Sequence, residues 1–172
     1  MSPSPDPGAP SRRPLRLAVA GGGQCDDATR ELAVETGREI ARAGAVLLCG
    51  GGQGVMEAAA LGARAEGGLT VGVLPGSGPA ESPPNESIEI PLFTGLGQAR
   101  NLVLVLSADA VIAVGGEWGT LSEIAMAMKH GRPVVLLNSW RLGHPSDDNV
   151  RMPARAESPR QAVELAIGLT NR

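Results

Sequence analysis

Three glycine-rich segments could bind a phosphate group, because each follows a short apolar run typical of a buried strand. They lie at residues 21–23, 50–54 and 115–119. Glycine permits positive φ angles and lets backbone N–H groups approach an anion, and a helix N-terminus adds a favourable field. The candidate ligand-binding residues are Gly21, Gly22, Gly51, Gly52, Gly54, Gly115, Gly116, Gly119 and Thr120. The alternative is that the segments are ordinary tight turns between strands and helices.

The elements that must position these segments alternate between strand and helix along the chain. Strands are predicted at residues 15–20, 45–49, 70–74, 110–114 and 133–137. Helices are predicted at residues 26–43, 55–66, 98–107 and 120–130, with a last one opening at residue 158. Residues 75–91 are predicted to form a long polar loop that could hold a short strand at 88–90, and residues 138–157 are predicted to be irregular.

Continuous apolar strands separated by helices indicate a parallel sheet covered on both faces. We therefore predict an α/β fold, a Rossmann-like doubly wound parallel sheet with three α/β/α layers. One domain is expected over residues 15–172, after a disordered N-terminal tail at residues 1–14 that contains five prolines. In such a sheet, ligands bind at the carboxyl ends of the strands, so the glycine segments predict a pocket for a phosphorylated small molecule such as a nucleotide.

Composition argues against several other functions. The chain has 15 Lys and Arg against 18 Asp and Glu, and two Trp, one Phe and no Tyr, so it lacks the basic and aromatic surfaces of nucleic-acid or membrane binders. No apolar run is long enough for a membrane span, and the two cysteines lack metal-ligand spacing, so a cytoplasmic protein without a bound metal is expected. Asp26 replaces the last glycine of a dinucleotide motif and no Gly-Lys pair exists, so no cofactor is predicted.

Four segments of the chain, taken in order, resemble the Lonely-Guy family of Rossmann-like proteins. They are CGGGQGVMEAAALGA, GLTVGVLPG, GLGQARN and VGGEWGTLSEIAMAMKHGRPVVLL. The resemblance implies one of two activities. Some members are phosphoribohydrolases, which cleave the N-glycosidic bond of a nucleoside 5′-monophosphate. A related branch resembles the molybdenum cofactor carrier protein, which binds its ligand, and this sequence is more similar to that branch.

The resemblance also implies which residues act. Arg100 matches an arginine and Glu123 a glutamate that form the catalytic pair of the hydrolases. The chain departs from their pattern at three positions: Asn101 stands in place of a lysine, Gly115 in place of a proline, and Glu117 in place of a loop glycine.

A carboxylate near the anomeric carbon can stabilise a cation-like ribose, hold ribose hydroxyls or activate water. We expect a helix N-terminus and a nearby arginine to keep Glu123 ionised, so that it acts as a base or electrostatic partner while Arg100 holds the phosphate or the leaving group. The alternatives are that Glu123 only completes a capping box with Thr120, and that Arg100 is a solvated helix residue.

Two further residues of the third glycine segment have open roles. Glu117 is either a second acid or base, a partner for Arg100, or an outward-facing loop residue. Trp118 could stack on a base, cover the crevice, or pack where two subunits meet.

Excess apolar surface on the helices predicted at residues 98–107 and 120–130 predicts a homodimer formed through both. The function expected from these observations is hydrolysis of a nucleoside 5′-monophosphate to free base and ribose 5-phosphate. The alternative is a non-catalytic carrier of a nucleotide or of the molybdenum cofactor.

Overall fold

The computed structural model describes residues 13–143 and 150–170. The strands are β1 (Arg16–Ala20), β2 (Val46–Cys49), β3 (Thr70–Leu74), β4 (Ile90–Phe93), β5 (Ala110–Val114), β6 (Val134–Leu137) and β7 (Ala154–Ala156). The helices are α1 (Asp27–Arg42), α2 (Val55–Ala65), α3 (Arg100–Ser107), α4 (Trp118–Lys129) and α5 (Pro159–Thr170). The tail predicted at residues 1–14 lies outside the described residues except for Arg13 and Pro14, and Arg13 forms an ion pair with Asp109.

The strands form one parallel sheet in the order β4-β3-β2-β1-β5-β6-β7. Side chains alternate between its two faces. Leu17 and Val19 pack with α1, α2 and α5 on one face, and Ala18 and Ala20 pack with α3 and α4 on the other. The predicted doubly wound α/β/α fold is therefore confirmed.

Two strands at the edges of the sheet differ from the prediction. β4 overlaps the short strand raised at 88–90 by one residue and continues to Phe93, and β7 falls in the segment predicted to be irregular. An edge strand lacks the continuous apolar run of a buried one: Ile90 and Leu92 of β4 are exposed, Pro91 interrupts it, and β7 has only three residues.

The third and fourth helices also begin at other residues than predicted. A short 3₁₀ turn at Gly97–Ala99 precedes α3. α4 begins at Trp118, two residues before the predicted start, with Glu117 as its N-cap. None of the helices in the described ranges is both long enough and apolar enough to cross a bilayer.

Helices α1 and α2 pack with their backbones in direct contact, because a glycine lies at each point where one helix touches the other. A Cβ atom at Gly37 of α1 would overlap the carbonyl oxygen of Ala59, and one at Gly62 of α2 would overlap that of Val34. Neither carbonyl can move without disturbing its own helix. This close packing holds α2 against the sheet, directly after the second glycine segment.

We expect Gly37→Ala to lower the free energy of unfolding by about 2 kcal/mol or more, because the added methyl must push the two helices apart. Gly168→Ala in α5 is the matched control: its Cβ would meet open space, and alanine favours a helix by up to about 1 kcal/mol. Urea unfolding of both variants measures the difference. Equal stability of the two would contradict the packing described.

Candidate functional site

The three glycine segments meet because of the strand order. β1 lies between β2 and β5, and the chain winds outward from β1 in one direction and from β5 in the other. The crevice at such a reversal, at the carboxyl ends of the strands, is where α/β sheets bind ligands. The segments follow β1, β2 and β5, so the topology brings all three to one place.

A cavity of about 110 Å³ opens between these segments and the beginnings of α3 and α4. Three predicted glycines line it with their backbones: Gly21, Gly22 and Gly119. Five predicted side chains also line it: Arg100, Asn101, Glu117, Thr120 and Glu123. The structure thus brings together both residues of the expected catalytic pair, and the side chain of Glu117 lies in the cavity wall rather than pointing away from the site.

The other predicted residues lie outside the cavity lining. Gly51, Gly52 and Gly54 shape the second segment, Gly115 and Gly116 shape the third, and Trp118 stands at the start of α4. A Cβ atom at Gly51 would lie 2.9 Å from the side chain of Leu74, and one at Gly116 would lie 2.8 Å from Trp140 Nε1. These glycines therefore allow close packing behind the site.

Trp118 is 78% exposed, and its ring lies 5.3 Å from that of Trp140. Neither indole lines the cavity. The position of Trp118 in the described residues therefore does not support stacking of its ring on a bound base.

Sequence reasoning missed three contributors. Gly23 and Met56 also line the cavity. Buried Asn85 holds the second segment in place, because its Nδ2 donates hydrogen bonds to the carbonyl oxygens of Gly51 at 3.2 Å and Gly52 at 2.7 Å. Asn85 lies in a long loop more than thirty residues away in sequence, so no local signal could have linked it to the site.

Arg100 and Glu123 form a buried ion pair. Arg100 Nη1 lies 3.6 Å from Glu123 Oε1, and both side chains are largely shielded from solvent. Gly50 makes room for this pair, since a Cβ atom there would lie 2.6 Å from both Nη atoms of Arg100. The second glycine segment therefore contributes to the site by leaving space for the Arg100 guanidinium.

Three polar atoms of the cavity side chains are buried without a hydrogen-bond partner among the described residues. They are Arg100 Nε, Arg100 Nη1 and Asn101 Oδ1. Buried polar groups are nearly always paired in folded proteins. Two unpaired donors and one unpaired acceptor at one cavity are suited to a ligand that supplies an acceptor to Arg100 and a donor to Asn101.

The surroundings of Glu123 differ from those expected from the sequence, because burial opposes ionisation of its carboxyl group. Burial raises its pKa from 4.5 to about 7, and the nearby Arg100 offsets only part of that rise. Because α4 begins at Trp118, Glu123 lies in its second turn, where the field of the helix N-terminus has weakened. The side chain is 9% exposed, so its charge is poorly solvated.

The capping-box alternative for Glu123 is wrong. The N-cap of α4 is Glu117, whose backbone N–H lies 3.5 Å from the accepting Thr120 Oγ1. Glu123 lies one turn further along and contacts Arg100. The solvated-helix alternative for Arg100 likewise fails, since its side chain is 15% exposed.

A larger cavity of about 610 Å³ lies at the opposite ends of the strands, beside the residues that precede β1, β5 and β6. Its carboxylate, Asp109, accepts hydrogen bonds from Arg13 and Arg16, which hold the pKa of that carboxyl well below its usual range. A permanently charged, fully paired carboxylate cannot exchange protons near neutral pH. The larger cavity therefore has more room for a ligand, whereas the smaller cavity contains a carboxyl group that can exchange protons near neutral pH.

Comparison with known proteins gives one family match. A protein family described as the SLOG cluster4 family matches residues 14–164. A protein of Archaeoglobus fulgidus, named only as uncharacterised, is 45% identical over 123 residues, which are 72% of this chain and 80% of that protein.

Two similar proteins carry names that state a function. The cytokinin riboside 5′-monophosphate phosphoribohydrolase of Mycobacterium tuberculosis is 35% identical over 121 residues, covering 66% of this chain and 64% of that protein. This chain thus spans less than two thirds of that relative. The structure of the molybdenum cofactor binding protein from Rippkaea orientalis superposes with a TM-score of 0.79 at 36% identity, covering 93% of this chain and 99% of that one.

The raised pKa of Glu123 predicts a pH-dependent stability. Between pH 4.5 and about 7 the folded state keeps a proton on Glu123 that the unfolded state loses, so rising pH lowers the stability of the unaltered protein in this window. Glu123→Gln removes this loss. The free energy of unfolding of the variant minus that of the unaltered protein should rise by about 3 kcal/mol from pH 4 to pH 8.

Urea unfolding at several pH values measures this difference. Glu164→Gln is the control, because Glu164 forms an exposed ion pair with Arg160 on α5, and its substitution should change stability equally at both ends of the range. A pH-independent difference for Glu123→Gln would contradict the burial of a protonated carboxyl.

Proposed function

The chain belongs to the SLOG cluster4 family, and from that premise we propose that it hydrolyses the N-glycosidic bond of a nucleoside 5′-monophosphate to free base and ribose 5-phosphate. The observation that carries this proposal is the buried Arg100–Glu123 pair in the wall of the cavity at the sheet crevice. The same two residues match the pair that the resemblance to Lonely-Guy hydrolases implies to be catalytic.

Hydrolysis of this bond needs charge stabilisation and proton transfer. The C1′–N bond breaks with its electron pair going to the base, the ribose becomes cation-like, and a water oxygen forms the new bond to C1′. A carboxyl group with a pKa of about 7 exchanges protons readily at neutral pH, so Glu123 is suited to this work. In its ionised form Glu123 would also stabilise the ribose cation.

The remaining groups bind and orient the nucleotide. The Nε–H and Nη1–H donors of Arg100 have no hydrogen-bond partner among the described residues and would bind acceptors of the ligand such as phosphate oxygens, and Asn101 Oδ1 would accept from a hydroxyl or amine. The amides around Gly22 and at the start of α4 offer further donors for an anion. The cavity of about 110 Å³ is smaller than usual ligand pockets, so it would hold only the reacting part of a nucleotide.

A second candidate function is binding of a nucleotide or of the molybdenum cofactor as cargo, without turnover. Two cavity residues depart from the hydrolase pattern and so weigh against turnover. Asn101 is neutral where the hydrolases have a lysine, and Glu117 stands where they have a loop glycine. The near-complete superposition on a molybdenum cofactor binding protein also favours the carrier function. This function would use the same cavity but would not need proton exchange at Glu123.

Incubation with a panel of nucleoside 5′-monophosphates, followed by chromatography of free base and ribose 5-phosphate, separates the two functions. We expect the unaltered protein to release base, and Glu123→Gln to lower kcat by about 10²- to 10⁴-fold, because a proton-exchanging group is lost. Glu164→Gln should keep full activity. Saturable binding without base release from any nucleotide would reject hydrolysis in favour of the carrier function.

We also propose that the chain forms a homodimer through α3 and α4. Leu102, Val103 and Leu106 give α3 an apolar outer face, and Leu106 is 42% exposed. α3 packs beside α4, whose Met126 lies at the same side of the sheet. A contiguous apolar face on two neighbouring helices is typical of a surface that a second subunit covers.

Leu106→Asp should convert the dimer to a monomer of 17.5 kDa, because two like charges would be buried at a two-fold interface. Leu61→Asp is the matched control, since Leu61 has a similar exposure of 44% but lies on α2, on the other face of the sheet. Sedimentation equilibrium gives both masses. A monomeric unaltered protein at micromolar concentration would exclude this assembly.

A further inference from the structure

The cavity has a carboxyl group in each of two walls. Glu117 approaches from the loop between β5 and α4 and lies against the first glycine segment, since a Cβ atom at Gly22 would be 3.0 Å from Glu117 Oε1. Glu123 lies beside Arg100, whose guanidinium packs on Gly50 of the second segment. A molecule in this cavity would therefore meet two carboxyl groups, one at the N-cap of α4 and one within α4.

The two carboxyl groups have opposite surroundings. Glu123 lies within α4 and is buried, whereas Glu117 is exposed at the N-cap position. Glu117 is therefore the cavity carboxyl that solvent can reach, as a group that activates water requires. Enzymes that cleave glycosidic bonds commonly use two carboxyl groups whose environments give them different protonation states.

We propose that Glu117 is a second catalytic residue, the base that activates the attacking water, and that Glu123 is the acid that protonates the leaving nucleobase. This assignment rests on the proposed hydrolase function. It gives Glu117 a chemical role beyond capping α4, and it gives the two carboxyl groups of the cavity separate tasks.

The step balances with water as the one added reactant. Glu117 accepts a proton from water as the water oxygen bonds to C1′. The C1′–N bond breaks, and the nitrogen takes both the electron pair and the proton of Glu123. The products are ribose 5-phosphate and the neutral base. Transfer of the proton from Glu117 to Glu123 through solvent restores both groups.

Other titratable groups facing Glu123 do not compete for this role. Arg100 of α3 supplies a positive charge beside Glu123. Cys49 at the end of β2 is also near, but burial raises the pKa of its thiol to about 11, so it remains neutral. Thr120, on the same helix, does not titrate. Glu117 is therefore the carboxyl that shares the cavity with Glu123 among the described residues.

Two substrates with different leaving groups separate the acid from the base. AMP has a leaving group that needs a proton, whereas p-nitrophenyl β-D-ribofuranoside 5-phosphate releases a phenolate that does not. We expect Glu123→Gln to lose at least 100-fold in kcat on AMP and less than fivefold on the nitrophenyl substrate. Glu117→Gln should lose at least 100-fold on both substrates.

Controls separate chemistry from folding. Glu164→Gln should match the unaltered protein on both substrates. Thermal unfolding should show that Glu117→Gln is folded, and calorimetry should show that it still binds ribose 5-phosphate. A purely structural role of Glu117 would not leave folding and binding intact while kcat is lost.

The outcomes are distinct. Unchanged kcat in Glu117→Gln overturns the base assignment while leaving the hydrolase function intact. Equal losses for Glu123→Gln on the two substrates overturn the acid assignment. Absence of product from both substrates and from every nucleotide of the panel with the unaltered protein overturns the hydrolase function and this inference together.

Discussion

Burial of the Glu123 carboxyl beside the Arg100 guanidinium is the interaction on which the site depends. A solvent-exposed pair of this kind would leave the carboxyl with an ordinary pKa and would contribute little to stability. Here desolvation outweighs the attraction of the guanidinium, so the pKa of Glu123 rises to about 7. The result is a carboxyl group that can give or take a proton at neutral pH, held next to a fixed positive charge.

The rest of the fold can be understood as what holds that pair in place. α3 supplies Arg100 and α4 supplies Glu123, and both helices begin at the carboxyl edge of the sheet. Gly50 leaves space for the guanidinium. Asn85 fixes the second glycine segment through hydrogen bonds to Gly51 and Gly52, the two residues that follow Gly50. The glycine-rich composition thus serves two purposes: some glycines line the cavity, and others permit the close packing behind it.

Much of the architecture could be predicted from the sequence. The five inner strands are continuous apolar runs, which specify buried parallel strands almost regardless of context, and the resemblance to Lonely-Guy proteins and the molybdenum cofactor carriers is confirmed. The bounds of β4 and the existence of β7 could not be found this way, because their pairing depends on a neighbouring strand rather than on their own pattern. The expected pair of Arg100 and Glu123 does meet in space.

The raised pKa of Glu123 could not be predicted, because it depends on tertiary burial and on where α4 begins. A local pattern, Thr120 followed three residues later by Glu123, indicated a capping box, yet the helix begins two residues earlier and uses Glu117 instead. The orientation of Glu117 into the cavity likewise depends on how the β5–α4 loop folds against the first glycine segment.

The most direct test of the account is a ¹³C NMR titration of the Glu123 side-chain carboxyl in the unliganded protein, assigned by comparison with Glu123→Gln. Burial beside Arg100 predicts a midpoint near pH 7. A midpoint near 4.5, the ordinary value for a glutamate, would mean that the carboxyl is solvated and would contradict the central claim.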